Sequence, residues 1–89
     1  MIKAVFVEFV GTMLFLYVII ATGGNILAIC AAFALLLYLS IPISGGNLNP
    51  AVTAMMVAAK KQKMSTLVPY ILAQLAGGFV ALEVYKRIH

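Results

Sequence analysis

Ile43-Ser44-Gly45-Gly46-Asn47-Leu48-Asn49-Pro50-Ala51-Val52-Thr53 stands near the middle of an 89-residue chain, and its two halves obey different rules. Residues 44–49 (SGGNLN), set off by Pro42, are turn and loop chemistry. The apolar stretch that follows, residues 50–59, is stopped by Lys60, Lys61 and Lys63. At about 1.5 Å per residue it runs about 15 Å, half of a hydrocarbon core about 30 Å thick. A segment too short to cross, in apolar surroundings, predicts a re-entrant loop over 42–49 followed by a half-helix over 50–59. Irregular backbone at membrane depth is tolerated only where it is buried in protein or lines a wet cavity. Gly45 and Gly46 are expected to let an extended chain pass close to its neighbours.

Asparagine followed by proline is a helix start, with Asn49 at the N-cap and Pro50 in the first helical position. With its oxygen engaged in capping, the Asn49 amide keeps N–H donors for a passing oxygen atom. The helix N-terminus adds a positive partial charge of about half an elementary unit. Such a site accepts a neutral hydrogen-bonding solute and repels cations, hydronium included.

The flanks suit a membrane. Hydrophobic residues make up 65% of the chain and charged ones 9%, where a water-soluble domain carries about 25% charged residues. Apolar runs at 4–22, 26–41 and 66–85 come close to the roughly 20 residues that a crossing needs, the second being the shortest. Gly23, Gly24 and Asn25 separate the first two, Ser65 or Thr66 caps the third, and Pro69 falls in its first turn. The first run is longer than the h-region of a cleaved signal peptide, and Glu8 interrupts it. The expected fold is therefore an all-α membrane protein over residues 1–89, a single membrane domain with three transmembrane helices and one re-entrant half-helix.

The net charge of +4 comes from Lys3, Lys60, Lys61, Lys63, Lys86 and Arg87, each at the end of an apolar run. That placement marks the membrane boundary and not a nucleic-acid surface. With one cysteine (Cys30), one histidine (His89) and two acids (Glu8, Glu83), the chain has no set for a metal centre, a nucleophilic triad or a carboxylate pair. Neither an enzyme nor a cofactor is expected.

ISGGNLNPAVT resembles the first Asn-Pro-Ala loop of the aquaporin and aquaglyceroporin (major intrinsic protein) family. Glu8-Phe9-Val10-Gly11-Thr12 is similar to the family's first-helix EF-x-GT. The run from Tyr70 through Gln74 to Gly77 and Gly78 resembles its third-helix pattern, in the same order along the chain. The resemblance implies a stand-alone N-terminal-type half in which Asn49, Pro50 and Ala51 form the midplane solute site. Glu8 would accept hydrogen bonds from the loop and Gln74 would brace it, beside Gly45 and Gly46. The family's narrow filter would fall at Ile29, Leu37, Gly46 and Val52, so the residue after Ala51 is valine where the family's second half has arginine. Ala73, Gly77 and Ala81, like Ala28 and Ala32, form stripes of small residues suited to close helix contact. Cys30 is expected to serve packing.

Family members join two such halves, inverted and fused. The resemblance thus implies a channel for water, and for glycerol or other small neutral solutes, formed by an inverted homodimer in the cell membrane and extended to a higher oligomer. Lys3, Lys60, Lys61 and Lys63 against Lys86 and Arg87 give a mild bias toward a cytoplasmic N-terminus and leave dual insertion open. Three other readings fit the residues: a small proton-coupled exporter using Glu8, a non-conducting half that associates with a full-length aquaporin, and a truncated fragment.

Overall fold

The structure, a computed structural model, describes residues 1–89. Helix α1 (Ile2–Ala21) is 20 residues long, about 30 Å. Its end is built from side chains and glycines. The Thr22 hydroxyl donates to the Val18 carbonyl at 2.7 Å and accepts from the Asn25 N–H at 3.2 Å. Gly23 and Gly24, with φ of 63° and 85°, turn the chain back. Asn25 then caps α2 (Ile26–Ser44), its oxygen accepting from the Ala28 N–H at 2.9 Å.

Helix α2 runs beyond the expected stop at residue 41, carrying Pro42 within its last turn. Two contacts hold the helix past the proline. Gly45, at φ 92°, closes the end by donating to the Ile41 carbonyl at 3.0 Å. The Ser44 hydroxyl is tied to Glu8 at 2.6 Å. Loop residues 45–49 lead to the half-helix α3 (Pro50–Ala58), nine residues long and about 13 Å. Lys60 follows it with φ 61°, a left-handed value usual for glycine at a helix end.

A 3-10 turn (Met64–Thr66) leads into α4 (Leu67–Ile88). Neither Ser65 nor Thr66 caps it through a side chain, contrary to expectation. The Thr66 hydroxyl instead donates to the Lys63 carbonyl at 2.6 Å and accepts from Gln62 at 2.8 Å. At its far end α4 continues past residue 85 through Lys86 and Arg87, cations that suit a helix C-terminus.

Helix α1 lies between α2 and α4 and packs most extensively on α4. Ala73, Gly77 and Ala81 are all buried at that crossing, whereas Ala28 and Ala32 are half-buried on α2. Phe15 and Phe33 stack at 4.6 Å between α1 and α2, and α3 packs against α4. Cys30 is exposed on α2 and serves no packing within the chain. The inside and outside are reversed relative to a soluble protein. The largest fully buried side chains are Gln74, Glu8 and Thr53, while Phe6, Leu27, Tyr38 and Phe79 are exposed. Three helices of spanning length and mean hydropathy 2.3, 2.5 and 1.7 carry this surface, so the chain is an integral membrane protein.

Candidate functional site

The re-entrant loop hangs on one carboxylate. Glu8, fully buried on α1, accepts four hydrogen bonds. Its Oε2 takes the Ser44 hydroxyl at 2.6 Å and the Asn47 N–H at 3.1 Å. Its Oε1 takes the Leu48 N–H at 2.7 Å and the Gln74 Nε2 at 2.8 Å. A carboxylate has about four lone-pair sites, and the loop, α2 and α4 fill them all. Thr53, on the first turns of α3, is a second node: its hydroxyl accepts from Asn47 Nδ2 at 2.8 Å and from Gln74 Nε2 at 2.9 Å. Tyr70 adds a third anchor, its hydroxyl donating to the Ser44 carbonyl at 2.7 Å.

This scaffold holds the backbone in conformations it would otherwise avoid. Leu48 has φ 53° and is buried, a conformation that costs an L-residue about 1–2 kcal/mol. Its N–H bond to Glu8 offsets the strain, and its side chain fills the space that Gly11 leaves open, since a β-carbon there would lie 2.7 Å from Leu48 Cδ2. Gly45 and Gly46 are not extended as expected. Both are left-handed, at φ 92° and 63°, because the chain must turn sharply off α2.

Gly46 has no room for a side chain either, as a β-carbon would meet Ile41 Cγ1 at 2.6 Å and the Ile41 nitrogen at 3.3 Å. Gly46→Ala is therefore expected to lower stability by roughly 2–5 kcal/mol, strain and overpacking together. Gly45→Ala, whose nearest neighbours lie at 3.6 and 3.9 Å, should show only the strain. Thermal unfolding of the two variants in detergent checks the difference, and equal losses would count against this geometry.

At the centre stands Asn49, extended at φ −161° and exposed. Its oxygen accepts from the Ala51 N–H at 2.7 Å, and its amide N–H groups donate to no protein atom. Pro50 follows in the first helical position. Beside them a groove of about 520 Å³ runs along α1 and α4, lined by Phe15, Leu16, Leu75, Phe79 and the ends of Thr12 and Gln74. Thr12 Oγ1 and Gln74 Oε1 are buried without a hydrogen-bond partner.

The profile of the major intrinsic protein family matches residues 1–89, the whole chain. The chain belongs to the major intrinsic protein family. Among its relatives, the probable aquaporin PIP2-6 of Oryza sativa subsp. japonica is 36% identical over 104 residues, covering 97% of this chain and 37% of the relative. Aquaporin PIP2-7 of Musa acuminata has the same identity and coverage. Aquaporin PIP2-4 of Zea mays is 33% identical over 108 residues, covering 94% of this chain and 38% of the relative. The chain thus spans a little over a third of the length of these curated relatives. No solved structure matches it at a significant level.

Within this major intrinsic protein half-fold, Glu8 and Gln74 meet beside the loop that leads to Asn49, Glu8 holding the Asn47 and Leu48 N–H groups, and Gly45 and Gly46 form the turn off α2. The four candidate filter residues fall on three parts of the chain. Gly46 is buried in the loop, Val52 is half-buried on α3, and Ile29 and Leu37 are half-buried on α2. The last two lie eight positions apart, about 12 Å along the axis of α2. Ser44, Asn47, Thr53 and Gln62 were absent from the expected site. Their signal was polarity alone: in so apolar a chain, a side chain with donors or acceptors at membrane depth must find a partner.

Proposed function

We propose that the chain forms a channel for passive passage of water and small neutral solutes, glycerol among them. The observation that carries this reading is the start of α3: two unengaged Asn49 N–H donors beside the positive terminus of a half-helix, on a loop held by a buried network. A solute oxygen replaces its water hydrogen bonds there, while a cation meets the repulsive end of the dipole. Val52 stands after Ala51, so no cationic side chain from that position narrows the passage, and solutes larger than water are expected to pass.

The second half of the pore is supplied, in this reading, by an inverted second copy. Half-helix α3 fills only about half the membrane thickness, and the groove of about 520 Å³ continues from Pro50 where it stops. An exact twofold axis through the midplane would set one Asn49 against the other. Lys3 and the turn at Lys60, Lys61 and Lys63 share one membrane face and Lys86 and Arg87 the other, so the N-terminus favours the cytoplasm of a cell membrane only mildly. Proton-coupled export through Glu8 is disfavoured, because all four of its lone-pair sites are taken by protein donors away from solvent.

Stopped-flow shrinkage of vesicles holding the purified protein tests the channel. Water permeability should exceed that of empty vesicles, and Asn49→Ala should reduce it by about tenfold, the worth of one to two hydrogen bonds. Folded protein without any gain in permeability would sink the reading. Native mass spectrometry should show an even number of copies.

A further inference from the structure

We propose that the basic turn between α3 and α4 binds the phosphate-bearing headgroup of an anionic lipid, and that Gln62 transmits its occupancy to the loop carrying Asn49. The first observation is a charge without a counter-charge. The face of the bundle that carries the start of α1, the end of α3 and the start of α4 holds Lys3, Lys60, Lys61 and Lys63. Of the two acids, Glu8 is fully buried with all its lone-pair sites taken. Glu83 lies near the far end of α4, 3.8 Å from Lys86 and 3.9 Å from Arg87. No acid of the chain serves this face, so its counter-ion comes from outside.

The turn is also shaped and fixed. Lys60 is held left-handed at φ 61°, its N–H bonded to the Val57 carbonyl and the Lys61 N–H to the Met56 carbonyl, both at 3.0 Å. The lysines, with Val57 and Ala58, surround a cleft of about 550 Å³, room for a phosphodiester headgroup. Met64, which lines the cleft, and Val68, four positions further along the chain in the first turn of α4, are exposed, 72% and 61% accessible. Cationic donors beside an exposed apolar strip fit an amphipathic anion, phosphate on the lysines and acyl chain along Met64 and Val68, better than a free phosphate ion.

One side chain of the turn reaches the other way. Gln62 is half-buried, accepts from Asn47 Nδ2 at 3.0 Å and donates to Thr66 Oγ1 at 2.8 Å. Thr66 in turn donates to the Lys63 carbonyl at 2.6 Å. Asn47 carries the chain on to Glu8 and Thr53, and lies two positions before Asn49. A headgroup that immobilises Lys61 and Lys63 therefore immobilises Gln62 between them, and with it the loop. The consequence for transport rests on the channel reading above; binding and its transmission do not.

The experiment uses the full chain in neutral detergent and needs no transport assay. Native mass spectrometry should show phosphatidylglycerol retained over phosphatidylcholine. Replacing Lys60, Lys61 and Lys63 by glutamine should weaken that retention by about tenfold or more, since each lysine at an anionic surface is worth about fivefold. Equal retention of the two lipids, or an unchanged triple variant, overturns the site. Hydrogen exchange at the Asn47 and Leu48 amides should slow when phosphatidylglycerol is added, and should not respond in Gln62→Ala with lipid still retained. Thr66→Val severs the same chain from its other end and serves if Gln62→Ala does not fold. Slowing that persists in the severed variant overturns transmission through Gln62, and equal slowing by inorganic phosphate overturns the lipid assignment.

Discussion

Glu8→Ala is expected to leave no folded protein. The substitution strips the acceptor from the Ser44 hydroxyl, the Asn47 and Leu48 N–H groups and Gln74 Nε2 at once. The Ser44 hydroxyl can rotate toward the Ser40 carbonyl, 3.3 Å away, and Gln74 keeps Thr53. The two backbone donors have no such alternative, and at membrane depth no bulk water replaces the carboxylate. At about 1–3 kcal/mol for each buried donor left unsatisfied, the two backbone donors lose roughly 2–6 kcal/mol, and the cavity left by the side chain adds about 2–5 kcal/mol, together comparable to the whole stability of a typical domain, about 5–15 kcal/mol. Glu8→Gln should fall between this and the native protein. Its single carbonyl oxygen still serves one side of the network. Its NH₂ faces donors on the other side, and the orphaned Gln74 Oε1 is available to accept from it after a flip of that amide. The check is the fraction of protein that stays monodisperse in detergent after graded heating. The expected order is native, then Glu8→Gln, with Glu8→Ala lost at synthesis or aggregated. A folded Glu8→Ala of native stability would show that the loop does not hang on this carboxylate.

The same network separates what could be read in the sequence from what could not. Length and apolarity placed three spanning helices and a short fourth, because those properties are local and the membrane imposes them directly. Asn49 before Pro50 announced a helix start for an equally local reason. The end of α2 was not legible: Pro42 reads as a stop, yet Ser44 is held in the helix by a carboxylate 36 positions away in the chain. Thr66 reads as a cap, but its hydroxyl is engaged by Gln62 and Lys63. Gly45 and Gly46 signalled conformational freedom without saying which conformation. The left-handed choice follows from the sharp exit off α2 and from Leu48 turning into the gap above Gly11. The polar residues missed around Asn49 belong to one category. Asn47 and Gln62 are 15 positions apart, and Thr53 and Gln74 are 21 apart. Spacings of that kind follow no helical or strand period, so only the folded chain reveals which polar groups satisfy one another.

The other large effect is expected at Gly77, where α4 crosses α1. A β-carbon on Gly77 would stand 2.6 Å from the Phe9 carbonyl oxygen, 3.1 Å from the Met13 nitrogen and 3.4 Å from Thr12 Cβ. Two of these atoms are backbone of α1 and cannot rotate aside, so Gly77→Ala must push the helices apart. Overpacking of this kind costs about 1–3 kcal/mol and occasionally more, against which alanine's better helix propensity returns only about 1 kcal/mol. The displacement would not stay local. Gln74 lies one turn before Gly77 on α4, and its 2.8 Å bond reaches Glu8, the neighbour of Phe9 on α1. Spreading the crossing therefore stretches the bond that joins α4 to the loop. Gly78→Ala is the matched control: its β-carbon would meet only Leu16 Cδ1, at 3.0 Å, the far end of a flexible side chain that can give way. Gly78→Ala is expected to be neutral or slightly stabilising. Gly77→Ala should unfold at clearly lower temperature and Gly77→Val should not accumulate as folded protein. Thermal unfolding of the three variants in one detergent decides the matter. If Gly77→Ala matched Gly78→Ala, the close backbone approach of α1 and α4 would not be what holds the loop at its depth.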